Sequence, residues 1–170
     1  AKDQSIVVSG VSGAGRAAKN SNSFNTVNED FVAYGLLDHR HTPEIEQITG
    51  AQILFTPHLA PMNRGIFATC YAKPVLGSSP TSASLVAVLA RAYAKENFVV
   101  VGQQIPSTKA TVGTNVTQLT ARYDERTGYA VVLAALDNLT KGASGGAVQA
   151  ANVALGLPEE SGLAMVGMFP

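Results

Sequence analysis

His39 and His41 flank Arg40, and with His58 they are the only histidines of the chain. Imidazole titrates near neutral pH and serves as base, acid or metal ligand. The pair runs directly into Thr42-Pro43-Glu44. That triplet reads as a helix start: Thr42 as a capping hydroxyl, Pro43 in the first turn, Glu44 near the positive end of the helix dipole. A helix N-terminus welcomes anions. Three chemistries suit the residues. One is a histidine acting as general base or acid, tuned by Arg40, Glu44 or Glu46. Another is a hydrogen-bonded structural pair. The third is a metal site on His39, His41 and His58, with Asp38 or Glu44 as fourth ligand.

A second cluster is Ser9-Gly10-Val11-Ser12-Gly13-Ala14-Gly15-Arg16. Gly13, Gly15 and Ala18 formally satisfy the G-x-G-x-x-G/A dinucleotide pattern after a strand. No long helix follows, because Asn20 to Asn28 breaks the periodicity, and no Lys-Ser/Thr pair makes it a P-loop. Exposed N–H groups, Ser9, Ser12 and the Arg16 guanidinium suit a phosphate or carboxylate; a tight turn with a surface arginine is the plain alternative. Arg64, in Asn63-Arg64-Gly65, is either a second anion contact or a solvated loop residue. Cys70 lies in the alternating run Phe67 to Tyr71 with no charged neighbour in sequence, which makes it a small core residue and not a nucleophile. After Asp137-Asn138, the small residues Gly142, Ala143, Gly145, Gly146 and Ala147 crowd the start of a helix. That composition is costly unless a ligand or another backbone comes close.

These residues need elements to hold them. Ser5 to Ser9 reads as a strand, Gly10 to Arg16 as a glycine loop, and Phe31 to Tyr34 as a short strand reaching the histidines. A helix to about Thr49 is stopped by Gly50. Strands are expected at Gln52 to Pro57 and Ile66 to Lys73, with His58 to Gly65 as their connection. An amphipathic helix spans Thr81 to Asn97, with Ser82 and Ser84 as caps. Phe98 to Val101 is a strand. Thr114 to Tyr123 and Tyr129 to Asp137 form a hairpin. Leu139 to Leu155 is a helix, and the tail holds one more short strand. Strict βαβ alternation is absent. The pattern predicts a single α+β domain over residues 1–170, a mixed, mostly antiparallel sheet with helices on one face.

With 170 residues the chain is long enough for one substantial core. Charged residues make up 14%, against the usual quarter or so, and a surface so sparsely charged suggests that part of it is covered by a partner or a second domain. The formal net charge of zero gives no nucleic-acid footprint. Apolar runs such as Tyr129 to Leu136 are too short to span a bilayer. The single cysteine fits a reducing, cytoplasmic compartment, where the sequons at Asn115 and Asn138 mean little. The chain opens Ala1-Lys2-Asp3-Gln4 without an initiator methionine or a signal-peptide pattern, so a piece of a longer polypeptide is expected.

Four segments carry a resemblance: residues 9–16, His39-Arg40-His41-Thr42-Pro43-Glu44-Ile45-Glu46-Gln47, the run Phe55 to Ile66, and Asp137 to Gln149. Together, in this order and spacing, the sequence resembles the N-acetyl-gamma-glutamyl-phosphate reductases of the aspartate-semialdehyde dehydrogenase group. The resemblance implies a glyceraldehyde-3-phosphate-dehydrogenase-like C-terminal domain for catalysis and dimerisation. Its partner would be an N-terminal Rossmann NADP-binding domain that this chain lacks. The implied reaction is NADPH reduction of an acyl phosphate to a semialdehyde in arginine biosynthesis, the acyl group being glutamyl or its aminoadipyl analogue. A cysteine attacks, phosphate leaves, and hydride reduces the thioester. The family's Gly-Cys-Tyr/Phe-Pro-Thr motif is absent here and Cys70 does not match it, so the isolated chain is expected to be inactive. By the same resemblance His41, or else His39, activates that thiol. Ser9, Ser12, Gly13, Arg16 and Arg64 match phosphate-facing positions, and Asn138 and Gly142 match cofactor-binding ones. A homo-oligomer through the sheet is implied, with neither nucleic acid nor membrane as partner. The alternative is a non-catalytic dimerisation module of the same fold.

Overall fold

The computed structural model describes residues 5–14 and 27–167. The expectations for Gly15, Arg16 and Asn20 to Thr26 lie outside the described residues. Seven strands form one sheet in the order β2-β3-β1-β4-β7-β6-β5. They are β1 (Ser5–Gly13), β2 (Val32–Ala33), β3 (Gln52–Ala60), β4 (Ile66–Ala72), β5 (Val99–Val101), β6 (Thr117–Asp124) and β7 (Tyr129–Leu136). β1 pairs parallel with β3, and β5 with β6; the other four pairings are antiparallel. The fold class is therefore the one expected: α+β, with a mixed and mostly antiparallel sheet.

The glycine loop is the main correction to the sequence reading. β1 does not end at Ser9 but continues through Gly13, in register with β3 on one side and β4 on the other. Glycine weakens an isolated strand, yet a central strand is held by two neighbours, and here close packing uses the missing side chain. A Cβ on Gly10 would sit 3.1 Å from the Phe55 ring. β3 likewise runs through His58 to Ala60, so His58 is a strand residue and not part of a connection.

Helix α1 (Thr42–Thr49) ends at Gly50 in the left-handed conformation, as expected. Its start differs: Thr42 is the first helical residue, and His41 occupies the cap position without a side-chain hydrogen bond. Helix α2 (Ser82–Ala92) is capped by Thr81, whose hydroxyl accepts from the Ser84 N–H while the Ser84 hydroxyl accepts from the Thr81 N–H. It stops five residues short of Asn97, because turns at 93–98 bring the chain back into β5. A four-residue helix, α3 (Thr108–Thr111), was not foreseen. The helix expected from Leu139 opens instead as a π-helical turn (Thr140–Ser144), and regular α4 spans Gly145–Ala154. The tail through residue 167 forms turns and no strand.

α1 lies against β3, and α2 against β6 and β5. Strand alternation separates the two faces of the sheet. Ile53, Pro57, Leu59, Ala121 and Ala130 are buried on one face. On the other, Leu54, Tyr71 and Val100 are 47%, 38% and 50% exposed. These three exposed residues sit among half-buried neighbours, and Gly13, Ala60, Thr120 and Ala135 of the same face are buried.

Candidate active site

The histidines sit at the mouth of a cleft of about 440 Å³ between the 34–41 segment and the C-terminal half of β1, with Gly10, Ser12, Phe55 and Ile66 on its walls. A sharp turn delivers His39: Gly35 and Leu37 both have positive φ, 54° and 67°. A Cβ on Gly35 would lie 3.0 Å from the His39 ring. The His39 ring meets Phe55 and Tyr34 edge-on, at 5.1 and 5.5 Å between centroids. Its Nδ1 accepts the His41 backbone N–H at 3.2 Å, which places the proton of neutral His39 on Nε2. Burial, and then the neighbouring His41 and Arg40, lower the His39 pKa against the opposing pull of Asp38. His41 stands beside it, ring centroids 4.9 Å apart, exposed at the mouth of the cleft.

His58 does not join the pair. Its ring stacks on Phe31 at 5.1 Å, and its Nδ1 lies 3.3 Å from the Gly10 carbonyl. Among the described residues no group of three or more His, Cys, Asp or Glu side chains is placed to hold a metal ion, so the three-histidine zinc reading is set aside. Glu46 does not tune the histidines either; its carboxylate accepts the Ile53 N–H at 2.9 Å and ties α1 to β3.

Ser12 and Ile66, paired across β1 and β4, join this cleft to a second polar cluster at the end of the sheet. There the Gly13 N–H donates to the Gly65 carbonyl at 2.8 Å, and the Ala14 N–H to the Met62 carbonyl. Gly13 is obligatory: a Cβ would fall 2.7 Å from the Met62 oxygen and 3.1 Å from the Arg64 backbone. The Gly65 N–H donates to Asn138 Oδ1 at 2.7 Å. Arg64 pairs with fully buried Asp137 at 2.9 Å, its own side chain 31% exposed. Asp137 also accepts the N–H groups of Gly113, Leu139 and Thr140. Burial alone would raise its pKa, but these donors and Arg64 outweigh it and hold the carboxyl below its ordinary value.

Of the sequence-predicted residues, His39, His41, His58 and Ser12 line the cleft, and Gly13, Arg64 and Asn138 share the adjoining corner. Ser9 joins neither. Three residues from Ser12 on the same strand, it lies on the opposite face, level with Thr56 and Thr69. The phosphate-facing expectation for Ser9 took the strand to give way to a loop at Gly10, whereas β1 continues to Gly13. Gly142 stands at the π turn, where a Cβ would meet only ordinary contacts at 3.6 Å. Cys70 is half-buried in β4, and burial pushes its thiol pKa up, as for an inert core cysteine. Sequence reading missed Asp137 as the centre of the corner, and Tyr34 and Phe55 as the seat of His39. The only signal for Asp137 was its place before Asn138, where the strand gives way to the crowded glycines.

Residues 2–138 match the family model described as semialdehyde dehydrogenase, dimerisation domain. An N-acetyl-gamma-glutamyl-phosphate reductase from Pelotomaculum thermopropionicum is 46% identical over 95% of this chain and 48% of its own length. One from Citrifermentans bemidjiense is 46% identical over 98% and 51%. The chain thus spans about half the length of the curated relatives it matches. Among solved structures, aspartate semialdehyde dehydrogenase II from Vibrio cholerae superposes with a TM-score of 0.66 at 12% identity, over 89% of this chain and 54% of that one. A probable aspartate-semialdehyde dehydrogenase from Pseudomonas aeruginosa gives 0.65 at 14%, over 89% and 55%. At these identities the likeness speaks for the fold alone.

Proposed function

We propose, since the chain belongs to the semialdehyde dehydrogenase family and carries its dimerisation domain, that it is the catalytic and dimerisation half of a cytoplasmic NADPH-dependent N-acetyl-glutamyl-phosphate reductase of arginine biosynthesis. The observation that carries this reading is the meeting of two clusters at one end of the sheet. A histidine cleft and an arginine–amide corner adjoin through Ser12 and Ile66. A proton acceptor beside an anion corner is what an acyl phosphate needs.

In this reading His41 takes the proton of a thiol contributed by the nucleotide-binding half. The His39 Nδ1 is occupied by the His41 N–H and its ring is wedged against Tyr34 and Phe55; its work is to seat His41. Ser12 and Arg64 face the phosphate, joined by Arg16. The nicotinamide cofactor supplies hydride when bound. Asn138 and Gly142 are the residues of this chain that would meet it. They fit: the Asn138 amide is half-buried and fixed by the Gly65 N–H, and Gly142 offers a backbone without a side chain in the middle of the π turn. The open sheet face is the surface through which two copies would join.

The test is complementation. The 170-residue chain alone, given NADPH and N-acetyl-glutamyl phosphate, should show no turnover. Adding the cysteine-bearing nucleotide-binding half should restore it, and His41→Asn should cut the restored kcat by roughly a hundredfold or more. Turnover by the chain alone would sink the proposal. Failure of the mixture to react would favour a dimerisation module without catalysis.

A further inference from the structure

Asp137 is the most heavily used side chain of the described residues, and the proposed chemistry gives it nothing to do. Its carboxylate is wholly buried and gathers donors from three separate stretches: Gly113 at 2.7 Å on Oδ2, Leu139 and Thr140 at 2.8 and 3.1 Å on Oδ1, and the Arg64 guanidinium at 2.9 Å on Oδ2. A negative charge beside a corner meant for an anion is unfavourable on simple Coulomb grounds. Its geometry suggests why it is there. Asp137 Oδ2 holds the Arg64 guanidinium at Nη2. The Arg64 Nε is buried and has no acceptor among the described residues. A guanidinium is a rigid planar fork, so fixing one nitrogen fixes the direction of the others. Through Leu139 and Thr140 the same carboxylate also holds the two backbone N–H groups that directly follow Asn138, whose amide receives the Gly65 N–H next to Arg64.

We propose that Asp137 is a positioning residue: by pinning one nitrogen of Arg64 from inside the fold, it aims the remaining donors at a phosphate group that it never touches. The inference rests on the reading of this corner as the phosphate site.

The test is inorganic phosphate binding to the 170-residue chain, followed by heteronuclear NMR titration, with Asp137→Asn, Arg64→Ala and the double variant. Asp137→Asn is nearly isosteric and removes one negative charge. If the carboxylate acted only through its charge, the variant would bind phosphate more tightly. Positioning predicts the opposite: affinity falls roughly tenfold or more, as for the loss of an aligned charge-assisted hydrogen bond. The double variant should then bind no worse than Arg64→Ala. Unchanged or tighter binding by Asp137→Asn overturns the inference, and so does a wild-type chain that shows no saturable binding. Should Asp137→Asn fail to fold, Arg64→Lys decides. It keeps the charge but cannot span Asp137 and a phosphate with one rigid fork, so wild-type affinity in that variant would overturn the inference. Reductase complementation is scored separately. Its failure with phosphate binding intact would count against the proposed reaction and leave the phosphate result to stand for Asp137.

Discussion

At the scale of single residues, the chemistry was legible wherever the residue type itself is rare. Three histidines in 170 residues mark themselves. Asp137 did not, because a carboxylate at a strand end looks the same whether it is solvated or buried under four donors. Two expectations belong at this scale. Gly13→Ala should destabilise the domain by about 1–3 kcal/mol in urea melts, since the new methyl would press on the Met62 oxygen and the Arg64 backbone at 2.7 and 3.1 Å; an unchanged midpoint would mean that the corner gives way easily. The second concerns pH. The folded chain holds the His39 pKa below its ordinary 6.5, so the unfolded chain binds the proton more readily. His39 therefore contributes stability that is complete above about pH 6.5 and is lost as pH falls below it. His39→Gln should flatten the stability profile over that window, and a slope equal to the wild type's would contradict the assignment.

At the scale of elements, the hairpin of β6 and β7, helix α1 with its Gly50 stop, and the core of α2 could be read from periodicity and caps. The extension of β1 could not, since glycine propensity points to a loop and only the flanking β3 and β4 overrule it. The π turn was hidden for a related reason: its glycines look like poor helix formers, and what they answer to is crowding from Asn115, Thr140 and Lys141, distant or hidden in a linear reading. This yields a reversal of a common rule. Gly→Ala inside a helix ordinarily stabilises by about 0.5–1 kcal/mol. Gly145→Ala should instead destabilise, because its Cβ would collide with Asn115 Oδ1 and the Thr140 backbone, whereas Gly142→Ala meets only ordinary contacts and should be tolerated. Thermal melts of the two variants side by side check this; a stabilised Gly145→Ala would refute it.

At the scale of the whole molecule, the low charge content raises the expectation of a covered surface, and the sheet leaves Leu54, Tyr71 and Val100 exposed on one face. Leu54 and Tyr71 flank Val7 on the open face, each well exposed. The double variant Leu54→Lys and Tyr71→Lys should sediment as a monomer with little change in melting temperature, since neither side chain supports the core. A dimer of undiminished affinity would move the interface elsewhere. No helix among the described residues is long and apolar enough to cross a membrane. The arrangement of strands also has a bearing on how the chain reaches this state. β1, an interior strand and one wall of the cleft, precedes the other six strands in sequence, but both its neighbours come later, at Gln52–Ala60 and Ile66–Ala72, and β7 beyond β4 only at Tyr129–Leu136. During synthesis its apolar run therefore waits, with both edges bare, until β3 and β4 emerge. The cleft needs nothing beyond Ile66, so its lining is all made before β6 and β7 emerge; the polar corner at Asp137 and Asn138 is the part that must wait for the end of β7.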